Sequence, residues 1–503
     1  MIARLPSLRA LALLFLLSLL SGCVPFTLPD QQQDQDTLLR SVITAQGLTG
    51  DPSVGRELPE IDDPLAQLGK ALFYTTALSG NMDTACATCH HPLLGGGDGL
   101  TLSVGVEALD PTLLGPGRSH SSGAPNVARN APTTFNIGLW DAVQFHDGRV
   151  ESLDKLPRQG GAGPRGIHTP DAPPGMADPQ AGADLVAAQS RFPLTAVTEM
   201  RGTTVAAYRP NRTLRAYLCA RLGDYGPAAG ELPGSGWPAE FAAVFGPATS
   251  PQSLITDARI AAALSAFQRS QLFVDTPWRA YVQGDSTALS PAAKSGALLF
   301  LQTPEQGGAG CVLCHRGDFF TDEQFHALAV PQVGIGKQDD PYYQRADVQA
   351  EDFGRWYATF AEQDRYRFRT PTLLNVAVTA PYGHDGAYAT LEGIVRHHLD
   401  PAAALASYNP AQLDAGVASQ LTAAYGAKAL AKLEQDRRSG ALLLPTAALS
   451  DSQIDDLLAF LAALTDSCVQ DAACLAPWLP DPATPDPDGL RLAAQFTAAE
   501  DTP

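Results

Sequence analysis

Two short stretches decide the reading of this chain: CATCH at residues 86–90 and CVLCH at residues 311–315. Each has the form C-x-x-C-H. Cysteines three positions apart lie about one helical turn apart, so both thiols can bond to the two vinyl groups of one haem. The histidine that follows directly then aims its imidazole at the iron. One such motif could be a redox dithiol or half of a zinc site. Two copies, with no thioredoxin-like βαβ pattern around either, point to c-type haem at both. Cys86, Cys89 and His90 are the expected attachment and proximal-ligand set of the first haem c, and Cys311, Cys314 and His315 of the second.

The settings of the two motifs are alike. LAQLGKALFYTTALSG (65–80) precedes the first and SPAAKSGALLFLQTPEQGGAG (290–310) the second. Both carry Gly-x-x-Leu-Phe on a helical stretch, then a loop, then the motif. This weak internal repeat predicts a mainly α fold of two cytochrome c-like domains, each with one covalently bound haem c. The expected boundaries are 61–285 and 286–470. Helical periodicity in ARIAAALSAFQRSQL and SQIDDLLAFLAAL agrees, and alternating strand patterns are few.

With 503 residues and 45% hydrophobic content, the chain is long enough for two or three globular domains. Residues 1–23 read as an export leader: a basic start, then ALALLFLLSLL, too short to span a membrane. The leader ends in LLSGC, a lipoprotein-like site that predicts acylation of Cys23; the alternative is an ordinary secretory signal with a chance cysteine. Val24 after the cysteine fits outer-membrane sorting. The expected location is therefore the periplasm, with membrane contact only through the lipid anchor. Residues 24–60, with QQQDQD, read as a polar tether that need not fold. Residues 471–503 read as a Pro/Asp-rich tail with little core.

The formal net charge is −19 and no basic run exists, which argues against a nucleic-acid partner. An acidic surface favours a basic protein partner or a neutral small substrate. Cys468 and Cys474 flank CVQDAAC; a disulfide is plausible after export, and two free thiols are the alternative. Cys219, in TLRAYLCARL, reads as a buried small apolar residue.

Further blocks carry a resemblance. They are RNAPTTFN (129–136), QFHDGRVESL (144–153), TEM (198–200), WRAYVQGD (278–285), DFGR (352–355) and RFRTPTLLNVAVTAPYGHDGAYATLEGIVRHH (367–398). Through these the chain resembles the bacterial di-haem cytochrome c peroxidase and MauG family from about residue 60 to 465. The resemblance implies that the N-terminal haem reacts with hydrogen peroxide and the C-terminal haem passes electrons. Electrons would come from a small c-type cytochrome or another periplasmic donor. In the MauG branch, the oxidising power acts on a side chain of a partner protein. Glu199, in TEM, matches the family's distal-pocket acid. Asn130, in RNAP, and the backbone carbonyls of Thr379 and Pro381, in TAPYGH, match a calcium site between the domains.

Departures from the family pattern sharpen the expectations. Many family peroxidases carry a blocking histidine in the loop after the first haem. Here that loop is LSVGVEAL, and Val106 cannot ligate iron, so the first haem is expected to be open to peroxide. His120, in an adjacent insertion, is the alternative ligand. At the second haem the family's sixth ligand lies fourteen residues after the histidine of P-Y-x-H, and fourteen from His384 is His398. His397, one residue away, would point about 100° elsewhere on a helix. Where the family has Trp in W-D-G-R, this chain has His146, and Trp140 is either a substitute relay or core. Residues 157–185 form a Gly/Pro-rich insert, with His168 and Met176, that lines the peroxide pocket or is a solvated excursion.

Overall fold

The computed structural model describes residues 31–205, 207–208, 210–339, 351–414, 416–417, 423–442, 444 and 446–496. The leader 1–23 and Cys23 lie outside the described residues. None of the described helices is long and apolar enough to cross a membrane.

The elements are mostly short helices joined by irregular segments, as the glycine and proline content requires. Two helix pairs organise the core. Helix α2 (Pro64–Tyr74) crosses α4 (Asp257–Arg269), and α5 (Pro291–Leu301) crosses α7 (Asp451–Ala462). Helix α3 (Asn211–Leu222) lies between α2 and α4 in the chain, and α6 (Leu391–Leu399) between α5 and α7.

The repeat seen in the sequence is the pair of crossing points. A Cβ on Gly69 would sit 1.9 Å from the Ala263 carbonyl oxygen, and one on Gly296 would sit 1.9 Å from that of Asp456. Only glycine lets the two backbones approach this closely. Four residues on, Phe73 meets Phe267 with ring centroids 4.9 Å apart, and Phe300 meets Phe460 at 5.2 Å. Each pair seeds its own buried apolar cluster, one per half of the chain.

Both chain ends depart from the sequence reading. The described part of the stretch expected as a tether contains helix α1 (Gln31–Gln46), which packs Leu39 and Ile43 into the C-terminal core. Its polar residues anchor it too: Gln35 donates to Ser295 at 2.7 Å and Lys294 pairs with Asp36 at 2.9 Å. The apolar positions Leu38, Leu39, Val42 and Ile43 carry the helical spacing that the QQQDQD run obscures.

The expected tail packs on the N-terminal half. Leu475 and Leu492 are buried. The Thr76 N–H donates to the Leu490 carbonyl at 3.0 Å, and the Leu492 N–H to that of Tyr74 at 2.8 Å. Leu113–Leu114 and Gln495–Phe496 form a parallel pair. Cys468 and Cys474 are disulfide-bonded where this segment begins. Trp278 and Tyr281, on the N-terminal side of the expected boundary, belong to the C-terminal core.

The insert 157–185 is folded as well. Ile167–His168 pairs antiparallel with Val150–Ser152. Arg191 ties it down through Asp178 at 2.7 Å and reaches Asp257 of α4 at 3.1 Å. None of its residues lines the central cavity described below. It buttresses the helix Leu185–Ser190, whose end does line that cavity.

Candidate active site

Both C-x-x-C-H motifs open into one continuous cavity of about 400 Å³ between the two halves. Cys86, Cys89, His90 and Glu199 line one end, and Cys311, Cys314, His315 and His398 the other. Cys86–Cys89 is a single helical turn with His90 as its C-cap, and Cys311–Leu313 is a turn of 3₁₀ helix. Burial pushes the Cys86 and Cys311 thiols up to about 12, so they are neutral.

Each histidine is oriented by its backbone. His90 Nδ1 lies 3.3 Å from the Gly96 carbonyl oxygen, and His315 Nδ1 lies 3.1 Å from that of Phe320. A donating Nδ1–H fixes the tautomer and leaves the Nε2 lone pair for a metal. Burial lowers both imidazoles, His315 to about 4. They are therefore neutral at physiological pH, which is the ligating form.

The adjacent histidines of α6 part company. His397 is fully buried and satisfied: Nδ1 lies 2.8 Å from the Tyr388 hydroxyl and Nε2 2.8 Å from the Leu328 carbonyl oxygen. His398 faces the cavity and donates from Nδ1 to the Ile394 carbonyl at 2.8 Å. Its ring centroid is 6.3 Å from that of His315, with the planes at 57°. A metal–imidazole bond of about 2.0–2.1 Å, plus about 1.1 Å from nitrogen to ring centre, puts two rings on opposite sides of one ion about 6.2 Å apart. The pair therefore fits a single metal between them.

At the first end, Glu199 sits on a one-turn π-helix, Val197–Arg201, a rare form that is frequent at functional sites. Backbone contacts pin this turn from two sides. The Val106 N–H donates to the Thr198 carbonyl at 3.2 Å, and the Gly80 N–H to that of Met200 at 2.7 Å. The loop 103–106 is itself held by Arg118, whose buried guanidinium donates to the Val104 and Gly105 carbonyls at 2.8 and 2.9 Å. Nothing in the sequence marks Arg118 for that task.

A Cβ on Gly105 would meet the Thr198 carbonyl oxygen at 2.1 Å and the Glu199 carbonyl oxygen at 2.5 Å. Gly105→Ala must therefore push the Glu199 turn aside, at about 1–3 kcal/mol of stability. Peroxide turnover is expected to fall while haem content stays near wild type. Wild-type turnover in a stable Gly105→Ala protein would sink this account of the turn.

Val106 is buried and does not line the cavity. His120 lies outside the cavity too; its Nδ1 is 2.7 Å from the Ser122 hydroxyl and its Nε2 3.9 Å from Glu107. Between the two ends, His146 Nε2 donates to the Asn130 carbonyl at 3.1 Å. Burial, and next the Arg129 and Arg369 charges, push that imidazole down to about 3. Trp140 lines the cavity with the Arg369 guanidinium 3.6 Å over its ring. A cation on the indole face makes the ring harder to oxidise.

Three blocks that look separate in sequence meet in one buried ion cluster. Arg129, of RNAP, bonds Asp352, of DFGR, at 2.6 and 2.8 Å, and Asp147, of HDGR, at 2.7 Å. Asn130 and His384 join the same wall: the Asn130 N–H donates to the His384 carbonyl at 3.1 Å. Asn130, Thr379 and Pro381 all line the cavity. Among the described residues, the one group of three Cys, His or acidic side chains close enough to share a metal lies elsewhere, at Cys314, Asp322 and His326.

The chain is similar to known proteins. The family model described as di-haem cytochrome c peroxidase matches residues 63–287. The methylamine utilization protein MauG of Methylorubrum extorquens is 29% identical over 335 residues, 66% of this chain and 67% of that one. The cytochrome c551 peroxidase of Pseudomonas aeruginosa is 26% identical over 379 residues, 75% of this chain and 82% of that one.

The chain is similar to the di-haem cytochrome c peroxidase and MauG family.

These similarities make it a haem-dependent oxidoreductase of the peroxidase class. The fold agrees. The diheme peroxidase BthA of Burkholderia thailandensis superposes with a TM-score of 0.52 at 22% identity, covering 88% of this chain and 93% of that one. A MauG-like protein associated with microbial copper homeostasis superposes equally well, with a TM-score of 0.52 at 23% identity over 83% of this chain and 95% of that one.

Proposed function

We propose that this protein reduces hydrogen peroxide to water at a haem c held by Cys86, Cys89 and His90. Electrons pass through a second haem c held by Cys311, Cys314, His315 and His398. The observation that carries the reading is the single cavity that joins the two motifs, with Glu199 at one end and the facing pair His315 and His398 at the other.

When bound, the haems supply iron for peroxide binding at the first site and for one-electron transfer at the second. The chain's own residues do the rest. A Glu199 carboxylate oxygen takes the proton from one peroxide oxygen and returns it to the other, which leaves as water. Apolar walls such as Phe73, Met200 and Leu264 limit bulk water beside it. His398, with His315, would hold the iron of the second haem and so keep peroxide from it.

The test is one equivalent of hydrogen peroxide added to the oxidised holoprotein without reductant. An immediate change in the haem spectrum is expected, because Val106 leaves the first site open. No change until an electron is supplied would overturn the open-site reading in favour of a reductively activated peroxidase.

His398 favours a second reading. Methionine raises haem potential, so a neutral nitrogen in its place makes an oxidising equivalent easier to hold. That suits a peroxide-dependent oxidase acting on a side chain of a partner protein. A reduced small c-type cytochrome separates the two. Rapid return of the resting spectrum supports the peroxidase, and persistence of the oxidised form supports the oxidase.

One calcium ion is part of the proposal, held by the Asn130 side-chain oxygen and the carbonyls of Thr379 and Pro381. Oxygen donors suit a hard cation. The Asn130 amide nitrogen is committed to the Leu100 carbonyl at 2.8 Å, which turns its oxygen the other way. All three donors are neutral, and calcium affinity follows ligand charge, so the site is expected to be weak. A chelator should slow electron passage between the haems, and calcium should restore it; unchanged rates in a calcium-free sample would remove the ion from the proposal. Export to the periplasm and lipid anchoring at Cys23 complete the reading.

A further inference from the structure

A chain of aromatic side chains runs from the second motif to the surface on the side away from the cavity. Phe320 starts it: its carbonyl accepts the His315 Nδ1–H at 3.1 Å, and its ring centroid lies 6.3 Å from that of Trp278. Trp278 stacks on Tyr281 at 6.2 Å with the planes 21° apart. The Tyr281 hydroxyl donates to Asp36 Oδ1 at 2.7 Å. Trp278 and Tyr281 are buried, whereas the Asp36 side chain is 25% exposed. Asp36 reaches this place only because α1 folds onto the C-terminal core.

We propose that Trp278 and Tyr281 form a one-electron relay between the group held by His315 and the protein surface, with Tyr281 as the residue that stores the oxidising equivalent. The proposal rests on the reading of His315 and His398 as ligands of the second haem.

The proton inventory decides which ring holds the hole. The Trp278 indole N–H is buried and has no acceptor among the described residues. An oxidised Trp278 therefore keeps its proton and its positive charge in an apolar site, which is costly. Tyr281 has an acceptor in place. Burial, and next the Asp36 carboxylate, hold its phenol well above the ordinary value, so it is protonated until oxidised. Burial raises Asp36, but its hydrogen bonds with Lys294 and Tyr281 outweigh this and keep it ionised. The phenol of an oxidised tyrosine is a strong acid, and this carboxylate accepts its proton.

The step balances. Peroxide supplies the oxidising equivalent through the reaction proposed above for the first site. Tyr281 loses one electron, which passes through Trp278 to the group at His315 and reduces it by one electron. The phenolic O–H bond breaks and the proton moves to Asp36. The product is a neutral tyrosyl radical beside a neutral carboxylic acid. One electron from an outside donor, with return of the proton, restores both. Cations lie over the Tyr281 ring, Arg40 Cζ at 4.8 Å and Lys294 Nζ at 5.5 Å from its centre. They disfavour a charged radical there and select the proton-coupled route.

The test is freeze-quench electron paramagnetic resonance on the full-length holoprotein after hydrogen peroxide, with ring-deuterated tyrosine incorporated in a parallel sample. A radical signal that narrows on tyrosine deuteration is expected. It should be lost in Tyr281→Phe and in Trp278→Phe, each with wild-type haem content and resting spectrum, and should form more slowly in Asp36→Asn. A tyrosine signal of unchanged intensity in both Phe variants would overturn the relay, as would an optical reaction with peroxide that yields no tyrosine radical in the wild type. A Tyr281→Phe protein that fails to load haem leaves Trp278→Phe to decide. Failure of the parent reading looks different: no optical reaction with peroxide at all, or a second haem whose spectrum does not depend on His398.

Discussion

Glu199→Gln is expected to slow peroxide turnover by about two to four orders of magnitude, the range that a positioned proton carrier contributes. Both haems should load normally. Glutamine keeps the size and the hydrogen-bonding capacity of the side chain but cannot accept and return a proton at the peroxide oxygens. The π-turn that carries residue 199 is held by backbone bonds from Val106 and Gly80. The variant should therefore fold and bind peroxide, and the defect should lie in the bond-breaking step. Stopped-flow spectra with one equivalent of peroxide measure it. A rate within a factor of about three of wild type would remove Glu199 as the proton carrier.

His398→Met tests the other end of the cavity. Axial ligands move haem potentials over roughly 0.8 V, and methionine opposite histidine raises them. A rise amounting to a substantial part of that range is expected in the second haem alone, with a matching change in its low-spin spectrum. The oxidised form that persists after peroxide should then decay faster. His397→Phe is the control: it removes a buried hydrogen-bonded side chain and should lower stability without moving the potential. If His398→Met leaves the spectrum and potential of the second haem unchanged, His398 is not its ligand, and the 6.3 Å spacing to His315 is coincidence.

Much of the site is legible in the amino-acid sequence. C-x-x-C-H is local, so its chemistry is contained in five consecutive residues. The register from His384 to His398 is nearly local, because it runs through one loop into one helix. The expectation of His398 over His397 comes from the fourteen-residue register that the family resemblance implies, and the roughly 100° between helix neighbours says only that the two point apart. The Gly-x-x-Leu-Phe repeat is visible as well, although its purpose as a backbone crossing is not.

Other features stay hidden because they join distant parts of the chain. Arg129 is 18 residues from Asp147 and 223 from Asp352, and no local pattern says that they share one buried cluster. Arg118 gives no sign that it holds the loop behind Glu199. The helix at 31–46 escapes notice because a polar start masks four apolar positions at helical spacing. The tail does so because proline and aspartate say nothing about a strand whose partner, Leu113–Leu114, lies in the opposite part of the chain.

The sequence by itself determined that there are two C-x-x-C-H sets, each with the cysteines and histidine that covalent haem attachment would need. It also placed a glycine in each Gly-x-x-Leu-Phe stretch, and the tertiary structure made those glycines the points where helices cross. The tertiary structure alone decided that the two sets face one cavity and that His398 turns to His315 while His397 turns to Tyr388. It alone set an acid from α1 beside Tyr281. These outcomes depend on distances between residues far apart in the chain. Those distances are fixed only when the apolar faces of the helices are buried against one another and the buried charges are paired.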